Sequence, residues 1–539
     1  MNQGRTVADV ISDELAQAGV TRVFGLPGGE VLQLMDAFRR RGIQFALFRH
    51  EAHAGIAAAV FGKLSGTVGV VLTTLGPGAS NLLLPLANSY LDREPLLAIS
   101  AQIPDLRAPI HTHQRLPLGD VFRPITKYTG TVTRTNIRQS IREAVSSCTS
   151  EPMGPSYLTL SADEAIEEVV AAGASLPRPA EANGSLVLLD AGVAAARLRE
   201  LLMTAERPLV LLGLGAASSN AEQLRKWLDT WSLPVGVTPK VKGLVDETEP
   251  AFVGVVGGMA MDRVVTDAIR HADLVIGFGL DPVEIDKTWH AEVPISWILE
   301  TPFATGVVPD ADVIACRHDE LLQALIRQGP PRTWSDSFDG FRRSRWPPSK
   351  AEDAGQNGFL DPLLMISELA RVMPPESIVV TDVGSHKYVF GQFWPSRLPN
   401  TFLVSNGLSA MGYGLPAAIG AKLACEHCPV LLAIGDGGFS MTSQELETAK
   451  RLGTALIVIV IADQSYSLIR LAQESRRLPN FGVDFGPIDS VVTAQACGVR
   501  GLRVHSVEHL VTEVVAAARS NSSLVVEVPV ALDSYRGIV

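Results

Sequence analysis

Two aspartates stand where a carboxylate could do chemistry. Asp436 lies in Gly435-Asp436-Gly437-Gly438, and Asp463 follows 27 residues later in Ala462-Asp463-Gln464-Ser465. Each comes after a short apolar run, at 431–434 and 455–461, and residues 443–452 between them have helical spacing. Strand, turn, helix, strand, turn makes a βαβ unit. Such a unit puts both carboxylates at the carboxyl ends of neighbouring parallel strands, where open α/β sheets take ligands. Two carboxylates and turn carbonyls form a hard oxygen set that suits Mg²⁺ or Ca²⁺. The glycines let backbone N–H groups approach a phosphate, and a following helix N-terminus favours negative charge. The stretch therefore reads as a holder for a metal-bridged diphosphate. A lone Gly-Asp-Gly would fit an ordinary βαβ turn equally well; the second acidic turn tips the balance.

A third carboxylate, Glu51, sits in Arg49-His50-Glu51-Ala52-His53-Ala54, between an apolar run at 45–49 and a small-residue helix from 56. Taken alone, an acid there is an ordinary solvated turn residue. In a partly buried setting a carboxyl there would suit proton sharing. Cys425-Glu426-His427-Cys428 has CxxC spacing, but no second pair accompanies it as a zinc site would require.

The elements that must position these groups alternate strand and helix with glycine turns, as in doubly wound parallel sheets. Residues 6–20 read as a helix, and strands are expected at 22–25, 45–49, 68–73 and 96–100. A second unit opens at 207–215, where Leu211-Leu212-Gly213-Leu214-Gly215 is an incomplete dinucleotide fingerprint that fits a close packing turn better. A third opens at 378–383 and ends with a strand at 524–530. Proline-rich 175–185 and aperiodic 329–357 read as linkers. The expected fold is α/β, with three doubly wound domains at 1–174, 186–328 and 358–539. A chain of 539 residues with 46% hydrophobic and 19% charged residues suits several buried cores. Its net charge of -11 argues against nucleic acid as a partner. No apolar run reaches the ~18 residues that span a bilayer. The N-terminus reads as an acidic amphipathic helix rather than a signal peptide, and the odd count of five cysteines suggests a reducing compartment without a disulfide framework. A cytoplasmic protein is expected.

Taken together, the glycine turns and acidic motifs resemble one family. FGLPGG (24–29), RHEAHA (49–54), TLGPGASN (74–81), THQRL (112–116), FRPITKY (122–128), NGLSAMGYGLPAAIGAK (406–422) and GDGGF (435–439) resemble the acetolactate synthase and pyruvate oxidase group of thiamine diphosphate enzymes. DVGSH (382–386), ELETA (445–449) and Asp in place of the usual second Asn at 463 look most like the catabolic, FAD-free acetolactate synthases. TLGPG, SYLDREP (89–95) and EPMGPS (151–156) also look like carboxyethylarginine synthase. The resemblance implies pyrimidine-binding, central and diphosphate-binding domains. It implies Glu51 as activator of the aminopyrimidine, Met411 between the cofactor rings and the Ser409 carbonyl on the amino group. Asp436, Asp463 and the Ser465 backbone oxygen would ligate Mg²⁺. Gly384, Ser385, His386, Gly435, Gly437 and Gly438 would line the diphosphate, and Gly28, Gln114 and Lys127 would face a 2-oxo acid substrate. The stretch 279–290 lacks the arginines of FAD-binding relatives, which argues against bound FAD. A homodimer or homotetramer is implied, with sites at the subunit interface. The expected reaction is decarboxylation of a 2-oxo acid, pyruvate foremost, and carboligation to a second carbonyl. Other thiamine diphosphate carboligases or decarboxylases are the alternative within enzymes. A non-catalytic paralogue is the alternative outside them, and intact Glu51, Asp436 and Asp463 argue against it.

Overall fold

The computed structural model describes residues 5–103, 113–169, 186–284, 293–301, 312–332, 334, 337–342 and 358–539. The linker expected at 175–185, most of that at 329–357, Thr112 and residues 285–290 lie outside them.

Three parallel six-stranded sheets carry the chain, each covered by helices. The first contains β1 (Arg22–Leu26), β2 (Gln44–Leu47), β3 (Gly69–Thr73), β4 (Leu96–Gln102), β5 (Tyr128–Thr131) and β6 (Ser156–Ser161), in the order β2-β1-β3-β4-β6-β5. The second contains β7 (Pro208–Leu212), β8 (Val235–Val237), β9 (Phe252–Val255), β10 (Leu274–Phe278), β11 (Ile295–Leu299) and β12 (Asp312–Ala315), in the order β12-β11-β10-β7-β8-β9. The third contains β13 (Ile378–Thr381), β14 (Phe402–Val404), β15 (Val430–Gly435), β16 (Ile457–Ala462), β17 (Arg500–Arg503) and β18 (Leu524–Pro529), in the order β14-β13-β15-β16-β18-β17. The first and third sheets thus share one topology, and the middle sheet has the strand order common to dinucleotide folds. Central strands are apolar on both faces, as burial under helices on each side requires; β3 and β10 are buried at every position.

Contacts divide the chain into two compact units. One comprises Met1–Glu181, Gly407–His427 and Thr442–Leu456; the other comprises Ala182–Asn406, Cys428–Met441 and Ile457–Val539. The first unit holds the first sheet together with the helices Gly414–Ala424 and Glu445–Arg451, which fall in sequence among the strands of the third sheet. A Cβ on Gly420 would lie 2.3 Å from the Ala57 carbonyl oxygen, so the Gly414 helix packs backbone to backbone on the helix Glu51–Ser65.

Two local readings change. The segment 50–55 is not a turn: the helix begins at Glu51, capped by His50 Nδ1 on the Ala52 N–H at 3.1 Å. Gly435-Asp436-Gly437-Gly438 is not an open turn either, because Asp436 begins the helix Asp436–Thr442.

Candidate active site

In the first unit, the turns after β1 and β3 mark the place where strand order reverses, the usual ligand crevice of such sheets. Gly28 follows β1, and its Cβ would fall 2.5 Å from Thr74 Cβ. Gly76 after β3 has φ +59°, and a Cβ there would strike Gln114 at 2.8 Å. Gly78 faces Glu51 Oε1, which a Cβ would approach to 3.2 Å. Gly28, Gln114 and Glu51 therefore line neighbouring parts of one glycine-walled edge. Glu51 is 7% exposed, and its Oε2 accepts from Asn81 Nδ2 at 2.9 Å. One carboxylate oxygen is thus fixed and the other faces the small-residue wall. Asn81 fixes Glu51 within a motif already read at 74–81, but its role comes from the fold.

Behind Glu51 stands Glu445, fully buried. It accepts from the Arg49 N–H at 3.2 Å and from Thr448 Oγ1 at 2.6 Å, and it pairs with His53 Nδ1 at 2.8 Å. Arg49 and His53 bracket Glu51, so Glu445 holds the start of its helix. Ser409 is exposed with φ +53°, and Met411 is half-buried. Their segment is anchored by the Gly407 N–H on Asp92 Oδ1 at 2.7 Å. Lys127 does not join these residues. Its ammonium donates to the carbonyls of Ser150 at 2.6 Å and Pro152 at 2.7 Å, before β5 begins.

In the second unit, the third sheet reverses its strand order between β13 and β15. Asp436 follows β15 and Asp463 follows β16, as neighbouring parallel strands dictate. Asp436 Oδ1 accepts from the Gly437 N–H and Oδ2 from the Gln464 N–H, each at 2.8 Å. Asp463 Oδ1 accepts from the Ser465 N–H at 3.3 Å. Burial raises the Asp436 pKa against these donors. It pushes Asp463 up to about 6, with the neighbouring Asp436 charge adding to the rise. Two crowded carboxylates that resist ionisation are what a bound cation would relieve.

Gly384, Ser385 and His386 follow β13. A Cβ on Gly384 would lie 2.8 Å from the His386 ring, and one on Gly435 3.2 Å from it. His386 is buried, its pKa is lowered by burial to about 4, and its Nε2 has no hydrogen-bond partner among the described residues. Ser385 Oγ meets Ser467 Oγ at 2.9 Å. A Cβ on Gly437 would reach Tyr466 at 2.9 Å, and one on Gly438 would reach Asp382 at 3.1 Å. An orphaned buried imidazole nitrogen, a glycine cradle and two carboxylates form a donor set that fits a metal-bound diphosphate.

Residues 5–120 match the family described as thiamine pyrophosphate enzyme, N-terminal TPP binding domain. Residues 195–311 match its central domain, and 382–528 its C-terminal TPP binding domain. The chain is 29% identical over 541 residues to the acetolactate synthase of Bacillus subtilis, covering 97% of this chain and 93% of the relative. It is 29% identical over 545 residues to the catabolic acetolactate synthase of Raoultella terrigena, covering 97% and 94%. It is 28% identical over 563 residues to a probable acetolactate synthase large subunit of Methanocaldococcus jannaschii, covering 97% and 91%. The chain belongs to the thiamine diphosphate-dependent enzymes of the acetolactate synthase group.

In this thiamine diphosphate enzyme the middle sheet also reverses order, between β7 and β10, but there its own loops fill the edge. A Cβ on Gly213 would meet Leu280 Cα at 2.5 Å, and one on Gly279 would meet the Ala216 nitrogen at 2.3 Å. The glycines of the incomplete fingerprint thus serve loop-to-loop packing. Glu284, 4% exposed, accepts from the Leu214 N–H at 2.7 Å and from Thr238 Oγ1. Burial raises its pKa to about 8. A protein carboxyl therefore takes the backbone N–H that a nucleotide phosphate would take in an open fold of this order. Among the described residues, no helix is long and apolar enough to cross a membrane.

Proposed function

We propose that this enzyme decarboxylates a 2-oxo acid, pyruvate foremost, and joins the remaining fragment to a second carbonyl, giving acetolactate when both substrates are pyruvate. The observation that carries the reading is the Asp436–Asp463 pair beside the orphaned His386 Nε2. Asp436, Asp463 and the Ser465 backbone oxygen would hold Mg²⁺. Gly384, Ser385, His386, Gly435, Gly437 and Gly438 would surround the diphosphate. Glu51, Ser409 and Met411 would hold the pyrimidine end. When bound, thiamine diphosphate supplies the electron sink for loss of CO₂ and for attack on the acceptor.

The chain's own work is positioning and proton handling. With Oε2 held by Asn81, Glu51 Oε1 is the oxygen left to share a proton with the aminopyrimidine. Gly78 leaves that oxygen approachable. Gln114 and Gly28, at the same edge, would bound the substrate and exclude water. The self-filled middle crevice supports a reaction without FAD. We further assign pyrimidine-binding, central and diphosphate-binding domains to 1–174, 186–328 and 358–539. A homodimer or homotetramer, with Glu51 of one chain serving the diphosphate site of another, and a cytoplasmic location complete the reading.

The test is a panel of 2-oxo acids with thiamine diphosphate and Mg²⁺, read by product mass spectrometry. Acetolactate from pyruvate, converted to acetoin by acid, is the expected result. Aldehyde alone would reduce the enzyme to a decarboxylase, and a product only with another acceptor would move the assignment to a different carboligase.

A further inference from the structure

The CxxC motif takes no part in the sites above. Cys425-Glu426-His427-Cys428 forms the turn between the Gly414 helix and β15. Cys425 and Cys428 are joined by a disulfide within this single turn of chain. Among the described residues, Cys148, Cys316 and Cys497 form no disulfide. Burial raises the Cys148 and Cys316 thiols to about 12, which leaves both inert. The turn is different in kind. Cys425 is half-buried, His427 is exposed, and Cys428 is 6% exposed. The His427 ring lies against Cys425, with Nε2 at 3.6 Å and Nδ1 at 3.8 Å from Sγ.

We propose that Cys425 and Cys428 are a reversible dithiol–disulfide couple, opened by a dithiol-class reductant at Cys425 with His427 as the proton relay. A reductant thiolate attacks Cys425 Sγ, the more accessible sulfur. The bond to Cys428 breaks and Cys428 leaves as a thiolate. The second reductant thiolate then attacks the reductant sulfur of the mixed disulfide, closing its own disulfide and releasing Cys425 as a thiolate. Two electrons pass to the protein, and the two protons shed by the reductant end on Cys428 and Cys425. His427, at 3.6 Å, is placed to deliver the second.

The bond also has a mechanical consequence. It closes the turn in which the Gly414 helix gives way to β15. That helix packs through Gly420 on the Glu51 helix, and β15 runs on to Gly435 and Asp436 at its other end. Six strand residues separate the bond from the carboxylates, so turnover should not respond directly. The persistence of the folded helix–strand connection should, because opening a cross-link frees the unfolded chain.

Trypsin releases residues 423–450 as a peptide that contains both cysteines and no other. Native enzyme is equilibrated in a series of dithiol-to-disulfide ratios, quenched in acid, alkylated and weighed. The expected result is one reversible two-electron transition from the unlabelled to the doubly labelled peptide, with Cys148 and Cys316 unlabelled throughout. His427→Ala should slow the approach to equilibrium several-fold without moving the midpoint. Cys425→Ser should abolish the transition, keep initial turnover and shorten the half-life of activity on heating several-fold. Labelling in every buffer would mean that no disulfide forms. A bond that opens only on unfolding would make it a fixed cross-link. Stoichiometric zinc on the reduced protein in native mass spectrometry, shielding both thiols, would make the turn a metal centre. Each of these overturns the proposal.

Discussion

Glu284→Gln isolates a proton that the folded chain holds and the unfolded chain releases. The buried carboxyl has a pKa of about 8, above its ordinary 4.5, because burial penalises the charged form more than the Leu214 and Thr238 bonds favour it. The sign follows from linkage. A group raised in the folded state contributes stability that is complete below about pH 4.5 and is lost as the pH climbs through 8. At about 1.4 kcal/mol per unit the interval has a ceiling of about 5 kcal/mol, and relaxation with water entry brings the expected loss to about 2–5 kcal/mol. Glutamine copies the protonated acid. Its carbonyl can accept the Leu214 N–H and its amide can donate to Thr238 Oγ1. The variant should match the wild type below about pH 4.5, exceed it progressively as the pH climbs from about 5 to 8, and keep a constant advantage above that. The assay is urea unfolding followed by tryptophan fluorescence, to which Trp227 and Trp231 of the same core contribute. Wild-type and variant midpoints that run parallel from pH 5 to 9 would show that Glu284 ionises without cost and would refute the reasoning.

Three further outcomes are expected. Glu51→Gln should bind thiamine diphosphate in calorimetric titration yet lose ~10²–10⁴-fold in turnover, as removal of acid–base help does; wild-type turnover would take Glu51 out of the mechanism. Asp463→Asn should keep the cofactor, since an amide oxygen can still ligate, whereas Asp436→Ala should lose it; equal, strong binding by Asp436→Ala would dissociate the third sheet from the diphosphate. Gly420→Ala forces a methyl to within 2.3 Å of the Ala57 carbonyl, a backbone atom that cannot swing aside, and should destabilise by about 1–3 kcal/mol or more; unchanged thermal inactivation would show that the two helices separate freely.

Sequence exposes most of the strands and both acidic turns because these announce themselves locally. Strands β15 and β16 are apolar runs broken by glycine or by an acid, and a parallel sheet buried on both faces demands that pattern. Local reading fails where a residue does two jobs. Glu51 looks like a turn acid because it follows β2 and precedes a helix without a conventional Ser, Thr, Asp or Asn cap. Its helix starts earlier because His50 supplies the cap instead. Gly437 and Gly438 look like turn residues from their poor helix propensity, yet the helix begins at Asp436. There the Asp436 carboxylate caps the Gly437 N–H and close neighbours leave no room for larger side chains.

The residues that do chemistry are more legible than those that hold them. Gly-Asp-Gly and Arg-His-Glu are short, and their composition carries their meaning. Glu445 sits in a helix beside Glu447 and Lys450 with nothing local to mark it, because its partner His53 is 392 residues away. Its burial is intelligible only after the Glu445 helix has left its neighbours in sequence and packed in the unit of the first sheet. Once there, a fully buried carboxylate must be satisfied by several donors, and the donors it finds are the Arg49 N–H, His53 and Thr448. The demand of one buried charge for partners therefore fixes the backbone on both sides of Glu51. A sequence can advertise the group that will carry a proton, but the group that aims it becomes visible only through the contact that the fold creates.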